Sequence, residues 1–237
     1  MEIVLFGSGN VANNLGYMLY TNGNNVIEVY NKYKTSGIYL SEKLNAKFVN
    51  SINDINKNAD LYIISVVDDY LEKLVSNLNI NSGLVLHTSG SKNMECLNKF
   101  KNYGVLYPLQ TFSKDTKLNY KEIPFLLEAN TSENLNTLKE FTSKFSDNIF
   151  EIDSKKRKVV HTAAVFACNF TNYMLTISED ILSKNDISFD ILKPLIKETL
   201  NKALINKPSE SQTGPAKRKD IKVSHDLFQK NRRDRSL

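Results

Sequence analysis

A short loop near the start of the chain has the residue types and the spacing that bind a phosphate group. Gly7, Gly9 and Ala12 form the pattern G-x-G-x-x-A between an apolar run at residues 2–6 and apolar residues at helical spacing. The first glycine permits a tight turn, the second lets the backbone approach a pyrophosphate, and the alanine lets the helix pack closely on the strand. A helix that begins here also presents free N–H groups to phosphates. The sequence therefore predicts dinucleotide binding by Gly7, Ser8, Gly9, Asn10, Val11 and Ala12.

The residues after the second predicted strand indicate which dinucleotide binds. NAD sites place an Asp or Glu there to bind the ribose 2′-hydroxyl. This chain has no carboxylate at that point and instead has Asn31, Lys32 and Lys34, which suit a 2′-phosphate. We therefore expect NADP rather than NAD as the cofactor, bound by these three residues. The alternative is that Lys32 and Lys34 are ordinary surface lysines.

Further polar segments follow later strands, where ligands bind in open α/β sheets. Residues 66–69 and 87–91 follow the fourth and fifth predicted strands and should lie along the cofactor. Residues 107–112 follow the next strand and should close the pocket from one side. Loop capping is an equal alternative for the residues after the fifth strand. The predicted cofactor contacts here are Val66, Val67, His87 and Ser89, and the predicted substrate contacts are Tyr107 and Gln110.

A polar stripe interrupts an apolar helical pattern in the C-terminal half of the chain. At 100° per residue, His161, Cys168 and Asn172 fall within about 40° of one another, with Asn169 at the edge of the stripe. Polar groups on a buried helix need partners, which are either a substrate or the neighbouring domain. We predict that His161 is the catalytic acid or base, because a histidine can be tuned to exchange protons near neutral pH. Asn169 and Asn172 would position the substrate.

The end of the chain is strongly basic. Residues 217–237 contain eight Lys or Arg and three Asp, which accounts for the whole net charge of +5. Because the rest of the chain is neutral overall, nucleic-acid binding by a folded basic surface is not expected. The main interpretation of the basic residues is a solvated tail, and the alternative is that the tail contacts an anion or a nucleic acid. Arg218, after Thr213 and Gly214, is predicted to bind a substrate carboxylate or a cofactor phosphate. The alternative is a turn that leads into a surface helix.

Apolar strands alternate with helical segments over the first two thirds of the chain. This order predicts an α/β fold, a Rossmann-type doubly wound parallel sheet with helices on both faces. From Lys155 to Lys184 the pattern is helical, and a second helix is predicted from Ser188 to about Asn206, with Pro194 as a possible bend. We place a domain boundary near residue 153. The predicted domains are residues 1–153, which bind NADP, and an all-α domain of residues 154–237, with a basic tail from about residue 221. The predicted strands are residues 2–6, 26–30, 47–49, 61–64, 84–86, 105–107, 125–127 and 149–152.

Composition excludes several other classes of protein. The chain is 41% hydrophobic and 24% charged, as in ordinary globular proteins. No apolar run approaches the roughly 20 residues that span a bilayer, and no signal peptide is recognisable, so a cytoplasmic protein is expected. Cys96 and Cys168 are far apart and match no metal or redox spacing, so no metal site is expected.

Six motifs occur in a fixed order along residues 1 to about 220. They are GSGNVA at 7–12, VDD at 67–69, HTSGS at 87–91, YPLQTF at 107–112, HTAAVF at 161–166 and TGPA at 213–216. Together they resemble a family of proposed NADP oxidoreductases that join a Rossmann-like domain to a C-terminal domain of unknown function. That family is similar to the 6-phosphogluconate-dehydrogenase-like superfamily, which includes pyrroline-5-carboxylate and ketopantoate reductases. The resemblance implies an NADP-binding domain, a helical domain and a homodimer formed through the helices. It names no substrate.

Two features depart from related families. The β-hydroxyacid dehydrogenase branch has a helix lysine four residues before an asparagine, where this chain has Val165 before Asn169, so a lysine-assisted mechanism is not expected. Relatives also continue with an apolar helix where this chain has its basic tail.

The leading hypothesis is an NADP-dependent oxidoreductase that transfers a hydride to or from a small carbonyl, imine or alcohol in the inter-domain cleft. The alternative is a non-catalytic NADP-binding sensor or partner-binding protein.

Overall fold

The computed structural model describes residues 1–113, 118–214 and 217, and the chain divides into two compact units, residues 1–170 and 171–237. The first unit contains a sheet of eight strands in the order β3-β2-β1-β4-β5-β6-β7-β8. All eight predicted strands are present, with bounds that differ from the prediction by at most two residues. The strands are β1 Glu2–Phe6, β2 Asn25–Tyr30, β3 Lys47–Val49, β4 Leu61–Ile64, β5 Leu84–His87, β6 Tyr103–Pro108, β7 Phe125–Ala129 and β8 Ile149–Glu151.

The two faces of the sheet are both covered by helices, which confirms the doubly wound prediction. Ile3 and Leu5 of β1 belong to a core shared with helices on one face, while Val4 and Phe6 belong to a second core on the other face. Alternate residues of a strand point to opposite faces, so a strand buried on both sides is a continuous apolar run. The helices around the sheet are α1 Asn10–Thr21, α2 Lys34–Lys43, α3 Asp68–Asn77 and α4 Ser132–Ser143.

Two strands, β7 and β8, run against the predicted direction. Strand β7 pairs antiparallel with β6, although every other pairing in the sheet is parallel. Neighbouring parallel strands need a crossover connection, usually an α-helix. The described part of the connection between β6 and β7 contains only the short 3₁₀-helix Tyr120–Glu122, so the chain turns back beside β6.

The long helix predicted from Lys155 to Lys184 is present in three successive segments. They are α5 Ser154–Ala164, a π-helical segment Val165–Phe170, and α6 Thr171–Ser183. Asp153 caps the start of α5, because its carboxylate accepts a hydrogen bond from the Lys156 N–H at 2.8 Å. The first compact unit extends to Phe170, so it includes α5 and the π-helical segment. Single π-helical turns often occur at functional sites.

The described part of the second unit is helical and has no buried core of its own. Pro194 lies in the first turn of helix α7, Lys193–Ile205, so the bend predicted at this proline is not present. A proline is tolerated in the first turn because the first N–H groups of a helix have no intrahelical partner. Ser188 caps the preceding 3₁₀-helix Phe189–Leu192. Among residues 171–214 and 217, no residue is classed as buried. The later helices are α7 Lys193–Ile205 and the short α8 Pro208–Ser211.

Candidate active site

A cavity of about 1000 Å³ lies beside the carboxyl ends of the central strands, and all of its lining residues belong to the first unit. Strands β1 and β4 are neighbours although β2 and β3 separate them in sequence, so the strand order reverses between them. Ligands of open α/β sheets bind at such a switch point. The cavity brings together fourteen of the predicted site residues: Gly7, Ser8, Gly9, Asn10, Val11, Asn31, Lys32, Val66, Val67, Ser89, Tyr107, Gln110, His161 and Asn169.

The glycine loop leaves one end of the cavity open for a phosphate. Gly7 has φ +103°, a left-handed conformation that favours glycine. A Cβ on Gly9 would meet no atom within 4 Å, so the loop leaves open space beside its backbone. Gly9 is also the N-cap of α1, and no side-chain cap bond or acidic first-turn residue satisfies that helix start. The unpaired N–H groups and the positive helix end suit the pyrophosphate of a dinucleotide.

The end of β2 carries a hydrogen-bonded polar cluster. The Ser8 and Asn31 side chains both donate to Ser36 Oγ, at 2.9 Å and 3.0 Å. Ser36 lies in the first turn of α2, whose N-cap, Tyr33, makes no side-chain cap bond. Lys32 Nζ lies 5.9 Å from the centre of the Tyr33 ring. Hydroxyl groups, a lysine and an uncapped helix start form a donor set that fits the 2′-phosphate of NADP.

Tyr107 and His161 face each other at the opposite part of the cavity. The Tyr107 hydroxyl and His161 Nδ1 are 2.8 Å apart, and the two rings meet edge to face with centroids 5.8 Å apart. Gly90 lies against both rings: a Cβ there would come within 2.5 Å of His161 Nδ1 and 2.8 Å of Tyr107 Cζ. Burial and the negative charge of Asp68 raise the pKa of Tyr107, and the positive charge of Arg157 opposes them. The hydroxyl is therefore held in its protonated form.

A buried ion pair fixes the helix that carries His161. Arg157 lies one turn before His161 on α5, and its side chain is completely buried. Its guanidinium pairs with the Glu128 carboxylate on β7 and donates to the Lys92 carbonyl at 2.6 Å. Ser154 Oγ donates to the same carboxylate at 2.6 Å. These contacts tie α5 both to the sheet and to the loop after β5 that contains Gly90.

The loop after β5 is held by its own side chains. His87 Nδ1 accepts from the Ser89 N–H at 3.1 Å, and Ser89 Oγ accepts from the N–H groups of Ser91 and Lys92. Ser91 Oγ donates to the Asp68 carboxylate at the start of α3. Burial and, to a smaller extent, the Arg157 charge lower the pKa of His87 to about 3, against smaller opposing effects of Asp68 and the Asn93 backbone. His87 therefore stays neutral inside the protein.

Four of the predicted site residues that the structure describes do not line this cavity. Ala12 is completely buried in α1, where its small side chain permits the close helix packing that the sequence predicts. Lys34 begins α2 and is exposed, and Asn172 is exposed in α6 of the second unit. His87 is completely buried and acts as the loop cap that was the alternative interpretation. Arg218 lies outside the described residues.

Other lining residues were not predicted to belong to the site. Ser36 could have been found because it follows a strand and lies in the first turn of a helix, a position suited to binding a phosphate. Gly90 was part of a recognised motif, but only the structure shows that its missing side chain makes room for two rings. The remaining lining residues include Tyr30, Tyr33, Ser65, Asp68, Tyr70, Thr88, Val165 and Cys168.

The described part of the chain lacks membrane-spanning helices and metal-binding clusters. None of its helices is long and apolar enough to cross a membrane. No group of three or more His, Cys, Asp or Glu residues in that part could hold a metal ion.

Comparisons with known proteins assign the chain to a family. A Rossmann-like domain model matches residues 1–112, and the model of a domain of unknown function, DUF2520, matches residues 123–235. A protein from Bacteroides fragilis, proposed to be an NADP oxidoreductase, is 38% identical, with a TM-score of 0.88, over 96% of this chain and 90% of that chain. The chain belongs to the family of Rossmann-like proteins that carry a DUF2520 domain. This confirms the family resemblance and the predicted fold class.

More distant solved structures share the fold of this family member. Pyrroline-5-carboxylate reductase from Streptococcus pyogenes is 16% identical, with a TM-score of 0.65, over 93% of this chain and 84% of that chain. An imine reductase from Myxococcus stipitatus, solved in complex with NADP+, is 13% identical, with a TM-score of 0.62, over 87% of this chain and 78% of that chain. No curated protein matches the chain.

Proposed function

We propose that this DUF2520 family member is an NADP-dependent oxidoreductase acting on a small carbonyl, imine or alcohol. One observation carries the proposal: a single cavity contains both an uncapped glycine loop suited to a dinucleotide and a hydrogen-bonded Tyr107–His161 pair suited to proton exchange. The Bacteroides relative, with its proposed NADP oxidoreductase activity, supports the assignment. When bound, the cofactor would supply or accept the hydride.

The residues of the cavity divide the remaining work. Gly7, Gly9 and the start of α1 would bind the pyrophosphate, and the cluster around Ser36 would bind the 2′-phosphate. His161 would give or take the proton that accompanies hydride transfer, because an imidazole exchanges protons readily near neutral pH. Asn169, Gln110 and Tyr107 line the same cavity and would orient the substrate.

Cofactor preference can be measured without knowing the substrate. Calorimetric titration of the full chain with NADP+ and with NAD+ should show tighter binding of NADP+, because the end of β2 offers hydroxyl and ammonium groups and no carboxylate. Tighter binding of NAD+ would refute the NADP assignment. Absence of binding by either nucleotide would refute the dinucleotide site itself.

Catalysis is tested by following NADPH absorbance with a panel of aldehydes, ketones and cyclic imines, and NADP+ reduction with the corresponding alcohols and amines. His161→Ala should abolish turnover of any accepted compound while the cofactor affinity stays unchanged. Unchanged turnover in that variant would remove His161 from the reaction. Tight NADP binding with no turnover across the panel would instead favour the non-catalytic sensor.

We also propose that the protein forms a homodimer through its C-terminal helices. The described part of the second unit buries no residue of its own, and large apolar side chains are exposed there, including Leu204 at 85% and Ile205 at 82%. Exposed apolar areas of this kind mark association surfaces. Sedimentation velocity at micromolar concentration should give a species of twice 27.0 kDa. A monomer at these concentrations would refute this proposal and leave the oxidoreductase assignment untouched.

A further inference from the structure

The hydrogen bond between Tyr107 and His161 can run in either direction. When the imidazole is neutral, the Tyr107 hydroxyl donates to Nδ1, 2.8 Å away, and the oxygen keeps a lone pair free. When the imidazole is protonated, Nδ1–H donates to the Tyr107 oxygen, and the phenolic O–H is free to donate elsewhere. Because both residues line the cavity, the charge of His161 decides whether Tyr107 offers the cavity an acceptor or a donor.

We propose that Tyr107 is the residue that exchanges the proton with the substrate and that His161 is the reservoir that supplies or removes that proton through the tyrosine hydroxyl. This inference rests on the proposed oxidoreductase function. It gives Tyr107 a role in the chemistry, where the sequence predicts only substrate contact. It also gives His161 a role that does not need direct contact with the substrate.

The proton balance of the step is simple. In the direction of reduction, the Tyr107 O–H bond breaks and its proton goes to the oxygen or nitrogen of the substrate. At the same time the Nδ1–H bond of the His161 imidazolium breaks, and that proton forms a new O–H bond on Tyr107. The tyrosine ends as it began, the imidazole has lost one proton, and the substrate heteroatom has gained one. In the direction of oxidation both protons move the other way.

The surroundings of Tyr107 favour a relay over a free phenolate. Burial and the Asp68 carboxylate raise the pKa of Tyr107, so an isolated phenolate would be costly. A hydroxyl that is reprotonated by its neighbour while it gives up its own proton never becomes an anion. The charged groups that act on Tyr107 are Arg157 on α5, which is itself paired with Glu128, and Asp68 at the start of α3.

Two features fix the geometry of the pair. Gly90 leaves the space that both rings occupy, since a Cβ would come within 2.5 Å of Nδ1. Arg157, one turn before His161 and fully buried against Glu128, holds α5 in the position where Nδ1 meets the hydroxyl. Gly90 and Arg157 are therefore positioning residues for this pair.

The coupling can be measured in the cofactor-loaded protein by nitrogen NMR of its three histidines. In full-length protein labelled with ¹⁵N-histidine and saturated with NADP+, neutral His161 should carry its proton on Nε2 and show Nδ1 as a hydrogen-bonded acceptor. Tyr107→Phe should move the Nδ1 signal to the position of an acceptor without a partner. Tyr103→Phe, the same substitution on the same strand with its hydroxyl facing Glu95, is the matched control and should change nothing. His161→Gln assigns the signal.

An unchanged His161 signal in Tyr107→Phe overturns the proposal, whatever the activity measurements show. For any compound that the enzyme turns over, Tyr107→Phe should lower kcat about 100-fold or more and leave the NADPH KM unchanged, as general acid–base catalysis contributes at least that factor. The rate in mixtures of light and heavy water should indicate two protons in motion in the wild type. A kcat within about threefold of the wild type in Tyr107→Phe, or one moving proton in the wild type, refutes the relay. If the NMR coupling is present and no compound reacts, the proposed function fails and the pairing stands.

Discussion

Removing the buried guanidinium of Arg157 should destabilise the protein and release the helix that carries His161. In Arg157→Met most of the aliphatic stem remains, so the change isolates the charge and its hydrogen bonds. The Glu128 carboxylate, 16% exposed, would lose its cationic partner, and the Lys92 carbonyl would lose a donor. Breaking a buried ion pair by removing one partner costs about 3–5 kcal/mol. Since Glu128 keeps some solvent contact and the Ser154 hydroxyl bond, we expect about 3 kcal/mol.

This loss is measured by urea unfolding of the protein without cofactor, followed by circular dichroism. At about 2–4 °C per kcal/mol for a chain of this size, the melting temperature should fall by about 6–12 °C. The matched control is Lys139→Met, which removes the cation of an exposed ion pair with Glu151. The two side chains are 40% and 61% exposed, so this change should cost less than about 1 kcal/mol. Adding Glu128→Gln to Arg157→Met should recover at least about 1 kcal/mol, because no unpaired carboxylate is then buried. Equal costs for Arg157→Met and Lys139→Met would refute the assigned role.

Three further outcomes follow from the site. Gly90→Ala should separate the Tyr107 and His161 rings. Kinetics should show turnover reduced at least about 10-fold, and calorimetry should show unchanged NADP+ affinity. Normal turnover would show that the rings do not need the space beside Gly90. The depressed pKa of His87, about 3, means that the unfolded chain binds a proton that the folded chain rejects, so stability is lost as the pH falls below about 6.5. At pH 5 the loss of unfolding free energy should be about 2 kcal/mol, measured by urea unfolding, and it should be smaller in His87→Asn. An equal loss in both proteins as the pH falls would contradict a neutral, buried His87. Lys32→Ala should weaken NADP+ about 10-fold and NAD+ hardly at all in calorimetric titrations, and equal losses for both nucleotides would remove Lys32 from 2′-phosphate recognition.

The sequence alone was sufficient for the strands of the sheet and for the glycine loop. The strands were predictable because strands buried on both faces are short continuous apolar runs, as in Leu61–Ile64. The glycine loop was predictable because phosphate binding depends on local backbone geometry within six consecutive residues, 7–12. The missing carboxylate after β2 is a local feature of the same kind.

The other half of the site was decided by tertiary structure. Strands β7 and β8 are reversed because the described part of the connection after β6 has no crossover helix, and this reversal places Glu128 where Arg157, 29 residues later, can pair with it. The ion pair between Arg157 and Glu128 fixes the position of α5. Only the folded chain therefore brings His161 to Tyr107, which is 54 residues away in sequence. The same contact explains why residue 90 is a glycine. A helical stripe counted at a constant 100° per residue also could not anticipate the π-helical segment, whose wider turn changes which residues share a face. Local patterns fix backbone conformation, whereas contacts between distant side chains depend on how the elements pack.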